Sequence, residues 1–245
     1  MGFFDKLVEY LPKFADGLWL TVLLTLISAI IGFFLSIPLV IGVLYGNWFW
    51  KNLCKFYITL VRGTPLLVQL FFIYFGLPGL LQSDGMVSFS NWLVSFGLPA
   101  IPSSIAPFTA AVIAFILNSA AYQAEYLKGG FLAITTEQME ASYSIGLTKW
   151  QSVKEVIFPQ AFRFSIPALS NEIVYLIKYT SVAYIITVEE LFAKATFFAS
   201  NTFYYLQIYM VIGLLYLLLI LIVTKLTEWL EKKLYVPGFE ISHLK

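Results

Sequence analysis

The sequence predicts an all-α, polytopic membrane bundle with five spans, and three observations carry that prediction. Hydrophobic residues make up 60% of the chain and charged residues only 12%, against about 25% charged in ordinary soluble domains. Residues 17–45 contain no charge at all, and about 20 apolar residues are enough to cross a bilayer as a helix. One long polar interval, TEQMEASYSIGLTKWQSVKEVIFP at 136–159, interrupts the apolar runs; it is longer and more patterned than a simple connector between spans.

Composition also excludes several function classes. A formal net charge of +1 supplies no polyelectrolyte attraction for nucleic acid. Cys54 is the only cysteine and His243 the only histidine. A disulfide framework, a cysteine metal site and a histidine-based triad within the apolar body are therefore out of reach, and no metal site is expected. No G-x4-G-K-[ST] phosphate loop occurs, so the chain is not itself an ATPase of that type and is not read as an enzyme.

Taken in order, residues 1–16 place Phe3, Phe4, Leu7, Tyr10, Leu11 and Phe14 near helical spacing among charges, the pattern of an amphipathic interfacial segment. Asp5 and Glu9 argue against a signal peptide. Residues 17–45 form the first span, with Gly32, Ser36 and Gly42 allowing close helix approach. A short link with Lys51 and Lys55 leads to a second span at 56–81, where Arg62 can snorkel to a headgroup and Gly63 and Pro65 soften the first turns. Residues 82–104 read as a loop rich in Ser, Gly and Pro. The third span is 105–127 and the fourth 166–188, the latter holding Asn171, Glu172 and Lys178. Glu189, Glu190 and Lys194 mark an outer loop, and the fifth span is 203–228. The chain thus divides into an interfacial segment (1–16), a membrane domain (17–228, with a cytoplasmic loop at 128–165) and a cytoplasmic tail (229–245). Lys and Arg concentrate in alternate connections when the N-terminus lies outside and the C-terminus inside, which puts the polar interval in the cytoplasm.

Within that interval Thr136 can cap a first helix, and Gly146 breaks the pattern after Ile145. Thr148 can cap a second helix, with Gln151 completing a capping box, and Pro159 ends it. Polar groups inside the spans mark candidate pathway residues. Asn118, Tyr122 and Glu125 share one face of the third span, and Asn171, Tyr175 and Lys178 one face of the fourth. Glu172 adjoins the latter, and Gln69 is the polar group of the second. A zwitterionic solute on such a path needs donors, which Lys178, Asn118 and Gln69 can supply, and acceptors, which Glu125 and Glu172 can supply. The alternative is internal pairing, with Glu172 or Glu125 bound to Lys178 as a packing device. Two acids against one lysine lean toward a cationic substrate. The aromatic residues of the second and fifth spans, among them Phe71, Phe72, Tyr74, Phe75, Phe203, Tyr204 and Tyr205, read as lipid-facing.

Glu140, Ala141 and Gly146, with Pro159 thirteen places after Gly146, resemble the E-A-A-x3-G-x9-I-x-L-P loop of binding-protein-dependent ABC importers. Ser142, Val156 and Phe158 stand for Ala, Ile and Leu. The run RGTPLLVQLFFIYFG at 62–76 is similar to that of polar amino-acid permeases of the histidine/glutamine type. So are Asn118, Ala121, Tyr122, Ala124, Glu125, Gly129 and Gly130, with Lys128 in place of Arg, and the run NEIVYLIKYTS at 171–181, with Tyr179 in place of Asp. The resemblance implies a type I ABC importer permease fold in the bacterial inner membrane, moving a polar amino acid into the cytoplasm. It implies coupling through Glu140, Ala141, Ser142, Gly146, Leu147 and Pro159 to two separate ATPase subunits, which hold the ATP and Mg2+. It also implies a second permease subunit, identical or closely related, and an extracytoplasmic substrate-binding protein. An ion-gradient-driven secondary transporter is the alternative, with repeated halves as its usual mark; none is visible here. A scaffold without a path leaves the charges in the spans unexplained.

Overall fold

A computed structural model describes residues 2–95, 104–134 and 136–234. The described residues are helical almost throughout, with no strand among them. Helix α1 (Phe3–Tyr45) is the spine. Its buried positions, Gly17, Thr21, Leu24, Ser28, Gly32, Ser36, Val40 and Val43, recur at three- and four-residue steps and form one stripe. Helix α6 (Pro107–Leu132) lies along that stripe. Its buried face is rich in alanine (Ala110, Ala111, Ala114, Ala120, Ala121, Ala124), so the two backbones come close. A Cβ on Gly32 would stand 3.1 Å from the Gln123 amide and 3.2 Å from Ser119, which accounts for the small residues expected on the first span.

The amphipathic N-terminal segment is continuous with the first span. It is the first turns of α1, and its apolar face covers helix α10 (Leu191–Thr202) and helix α11 (Tyr205–Leu234). Phe3 meets Phe198 and Tyr204 edge-on, and Tyr10 meets Phe198 with ring centres 5.0 Å apart.

The expected second span is two helices. Helix α2 (Trp48–Gly63) and the segment Leu66–Leu81 meet at 106°. That segment comprises α3 (Leu66–Phe71), a π turn (Phe72–Gly76) and α4 (Leu77–Leu81). The break has a local cause. Thr64 precedes Pro65 and is extended (φ −115°, ψ 141°), because the proline ring disfavours helical geometry at the residue before it. The expected loop after this segment contains helix α5 (Asp84–Ser95); the rest of that loop, residues 96–103, lies outside the described residues.

Helix α7 (Thr136–Ser144) and helix α8 (Lys149–Gln151) form an elbow beneath α6. Pro159 does not end the second helix. A π turn at Ser152–Ile157 carries it into helix α9 (Phe158–Tyr179), where Pro159 sits in the first turn. A wide π turn relieves the clash between a proline ring and the carbonyl four residues back, and the turn Phe72–Gly76 stands in the same relation to Pro78. Helix α9 stops at Tyr179 and tightens into a 3-10 segment, Thr180–Ile186. By length and composition Phe3–Tyr45, Pro107–Leu132 and Tyr205–Leu234 are apolar enough to cross a membrane, and the broken pair adds a fourth candidate. The expected fourth span, now α9, falls outside this set because its polar residues lower its hydropathy. Helix α11 runs on to Leu234, and residues 235–245, including His243, lie outside the described residues.

The expected outer loop at Glu189–Lys194 is likewise structured. Glu190 is fully buried and caps α10, accepting from the backbone N–H of Phe192 and Ala193 at 2.8 Å each and from the Tyr216 hydroxyl at 2.9 Å. Lys194 pairs with Glu189. The rings expected on the lipid side are largely exposed, as at Phe72, Phe75 and Phe203, whereas Tyr74 and Tyr204 pack inward.

Candidate functional site

The break between α2 and α3 opens a cleft of about 280 Å3, lined by Arg62, Gly63, Thr64, Pro65, Leu66, Asn118, Tyr122 and Tyr179. The size is just under the roughly 300–1,000 Å3 of typical small-molecule sites. Four helices contribute to it, because Pro65 turns the chain and thereby puts the end of α2 and the start of α3 against the middle of α6 and the end of α9.

Gln69 holds the break together. Its amide nitrogen donates to the Val61 carbonyl (2.7 Å), the Thr64 carbonyl (3.0 Å) and the Thr64 hydroxyl (2.9 Å). Its amide oxygen accepts from Asn118 Nδ2 at 3.1 Å. These bonds satisfy carbonyls that the interrupted helix leaves without partners. Gln69 was expected to donate to substrate; its donors are instead committed to the backbone, and it does not line the cleft. Asn118 does line it, while also anchoring Gln69. The Tyr57 hydroxyl pins α2 to α6 through the Leu117 carbonyl at 2.6 Å. Replacing Gln69 with Leu leaves at least one freed carbonyl unsatisfied. A loss of about 1–3 kcal/mol of stability is expected, read as a lowered melting temperature of the purified protein, while Gln69→Glu, which keeps the size but not the donors, should behave like Leu.

Neither acid pairs with Lys178. Glu125 lies between two cations, Arg62 Nη1 at 3.3 Å and Lys128 Nζ at 2.9 Å. Arg62 does not snorkel alone; its guanidinium also covers the Tyr122 ring, 5.3 Å from its centre. Glu172 is buried and accepts from the Ser119 hydroxyl at 2.9 Å. Ser119 accepts in turn from Gln123, which also donates to the Ala29 carbonyl of α1. Lys178 is exposed with its ammonium 4.6 Å over the Tyr175 ring, and Tyr175 stacks on Tyr179. Asn171 is exposed farther along α9, away from the cleft lining. Asn118 and Tyr122 therefore come together in the cleft, with Glu125 one ion pair behind them. Arg62 and Tyr179 belong to the lining too. Their position beside Pro65 and at the end of α9 could have suggested it, but burial of the break was needed to bring them face to face.

At Gly146 and Thr148 the elbow is built as its sequence predicts, whereas Thr136, expected as a cap, is the first residue of helix α7. Gly146 has φ +87°, its N–H donates to Tyr143 (2.9 Å) and the Leu147 N–H to Ser142 (3.1 Å), the paired bonds of a Schellman ending. Thr148 and Gln151 form the capping box, with the Thr148 N–H donating to Gln151 Oε1 at 2.9 Å. Met139, Val153 and Ile157 root the elbow in the core below α1 and α6. Trp150 meets Tyr45 edge-on and Lys149 lies over the same ring. Glu140, Ala141, Gly146 and Pro159 face outward and Leu147 is half-buried. Ser142 is the exception among the expected coupling residues: it is buried and bonds to the Met139 carbonyl. Outward, the elbow presents Ile145 at 76% exposure with Tyr143 and Trp150 beside it in sequence, an apolar surface among polar neighbours.

Comparison with known proteins agrees with this architecture. Residues 32–236 match the family described as binding-protein-dependent transport system inner membrane component. The probable amino-acid ABC transporter permease protein PatM of Vibrio harveyi is 35% identical over 235 residues, covering 96% of this chain and 97% of the relative. The arginine ABC transporter permease protein ArtM of Haemophilus influenzae is 36% identical over 235 residues, covering 96% and 98%. A crystal structure of an amino acid ABC transporter with histidines superposes with a TM-score of 0.78 at 32% identity, covering 95% of this chain and 99% of that one. With the matched region taking in the broken helix, the cleft and the elbow, the chain belongs to the inner-membrane permease components of binding-protein-dependent transport systems.

Proposed function

We propose that this permease carries an amino acid through the cleft at the α2–α3 break, and that the α7–α8 elbow is the handle by which an ATPase drives it. As a member of its family the chain is the multi-pass inner-membrane subunit of an ABC importer; the ATPase is a separate subunit, and a substrate-binding protein serves the complex. That membership disfavours an ion-gradient-driven carrier. Beyond it, our reading is a five-span arrangement with the N-terminus outside and the C-terminus inside, α9 crossing with its polar face toward the pathway. Two permease subunits, identical or closely related, would sit on two ATPase subunits that hold ATP and Mg2+. Closure of the ATPases would displace the elbow and rock the helices rooted in it between outward- and inward-facing states.

The observation that carries the coupling reading is the elbow itself. It is fixed internally by two helix-end motifs and rooted in the core, yet its most exposed apolar residue, Ile145, is 76% exposed among the described residues. Exposed apolar anchors on a rigid support are where binding energy concentrates in interfaces. The double variant Ile145→Asp, Trp150→Asp should lose co-purification with the ATPase and at least tenfold of ATP-dependent uptake in proteoliposomes, with the permease still membrane-inserted. Undiminished uptake and co-purification would refute the coupling role.

A further inference from the structure

We infer that the cleft selects amino acids whose side chains carry no positive charge, with Arg62 taking the substrate carboxylate and Tyr179 facing the side chain; this rests on the proposed transport path. The leaning toward a cationic substrate depended on Glu125 and Glu172 being free to receive it. Glu125 is shared between Arg62 and Lys128, at 3.3 and 2.9 Å. One carboxylate between two cations leaves positive charge uncompensated beside the cleft. Glu172 is 3% exposed, does not line the cleft, and accepts from the Ser119 hydroxyl at 2.9 Å. No acidic side chain is among the described residues lining the cleft, and Arg62 is the one formal charge in that lining. The nearest lysine of α9, Lys178, adds a further cation over Tyr175, the ring that stacks on Tyr179.

These charges repel an ammonium or guanidinium side chain and attract a carboxylate. Arg62 keeps donors for it, since a guanidinium has five N–H groups in a fork suited to carboxylates and the contact to Glu125 uses only part of them. Asn118 and the hydroxyl groups of Tyr122 and Tyr179 leave neutral hydrogen-bonding groups and ring faces for the rest of the molecule, which suits a polar, uncharged side chain. The Tyr122 ring is already covered by Arg62, so it offers a substrate cation little further attraction.

The test measures equilibrium binding to the purified permease–ATPase complex without the binding protein, so that the preference of the delivering protein does not enter. Labelled glutamine is the probe, and unlabelled glutamine, lysine and arginine are the competitors. Glutamine is expected to compete at least tenfold better than lysine or arginine, and Tyr179→Glu, which puts a carboxylate on an exposed part of the wall, should shift the ratio toward the cations by at least tenfold. Equal or better competition by lysine or arginine in the unsubstituted protein overturns the inference, as does the absence of glutamine binding. ATP-dependent uptake that persists alongside a cation preference sinks the selectivity alone; a glutamine preference in a complex whose uptake ignores ATP sinks the proposed coupling and leaves the selectivity standing.

Discussion

Gly130→Val should remove most of the protein from the membrane fraction. A Cβ at this position would lie 2.2 Å from the Ser165 hydroxyl oxygen and 2.3 Å from the Ala161 carbonyl oxygen of α9. The second of these atoms is backbone, so a rotamer change cannot relieve the overlap; α6 and α9 must move apart. Ser165 bridges the same crossing, donating to the Ala161 carbonyl at 2.8 Å and the Tyr126 carbonyl at 3.1 Å. Overpacking of a well-filled contact costs about 1–3 kcal/mol, and separation of this crossing would add the loss of packing at Leu127, Phe131 and Ile157 below it. The check is the amount of folded protein recovered in mild detergent, compared with Gly129→Val one residue earlier. Gly129 has open space where its Cβ would be, so that variant should be recovered nearly as well as the unsubstituted protein. Equal recovery of Gly130→Val would show that α6 and α9 are not held at this distance.

Gly146→Val should leave the protein in the membrane and abolish most of its transport. Here the space is open, and the conflict is conformational: φ is +87°, a region that a β-branched residue adopts only under strain. Strain of this kind costs of order 1–3 kcal/mol. The ending that reverses the chain between α7 and α8 would be displaced, and Ile145 and Trp150 would lose their relative placement. Gly146 itself is exposed and outside the core cluster that roots the elbow, so insertion and thermal stability of the bundle should be close to normal. ATP-dependent uptake should fall at least tenfold. Full uptake by a well-inserted variant would mean that the elbow's geometry is not part of the drive.

The two variants separate the roles that local sequence and tertiary packing play. The turn at Gly146 and the capping box at Thr148 and Gln151 could be read directly, because each is completed by residues within five positions of one another. The same holds for the long apolar runs and the small-residue stripe of α1. Pro65 was legible as a disturbance, but its size was not. A proline in a span can bend it slightly or break it, depending on whether something satisfies the carbonyls it frees. Gln69 and Asn118 do so here, and Asn118 arrives from a helix 49 positions away.

What the sequence determined by itself is therefore the apolar helical class, the order of the elements and the polar elbow with its helix-end motifs, all of which follow from composition, periodicity and contacts between near neighbours. Only the tertiary structure decided which polar groups meet. It turned the N-terminal apolar face onto α10, buried Glu190 as a helix cap, gave Glu125 to Arg62 and Lys128 rather than to Lys178, and drew Arg62, Asn118, Tyr122 and Tyr179 around one cleft. Charge pairing and burial depend on distances between helices that are far apart in the chain, and a one-dimensional pattern carries no measure of those distances.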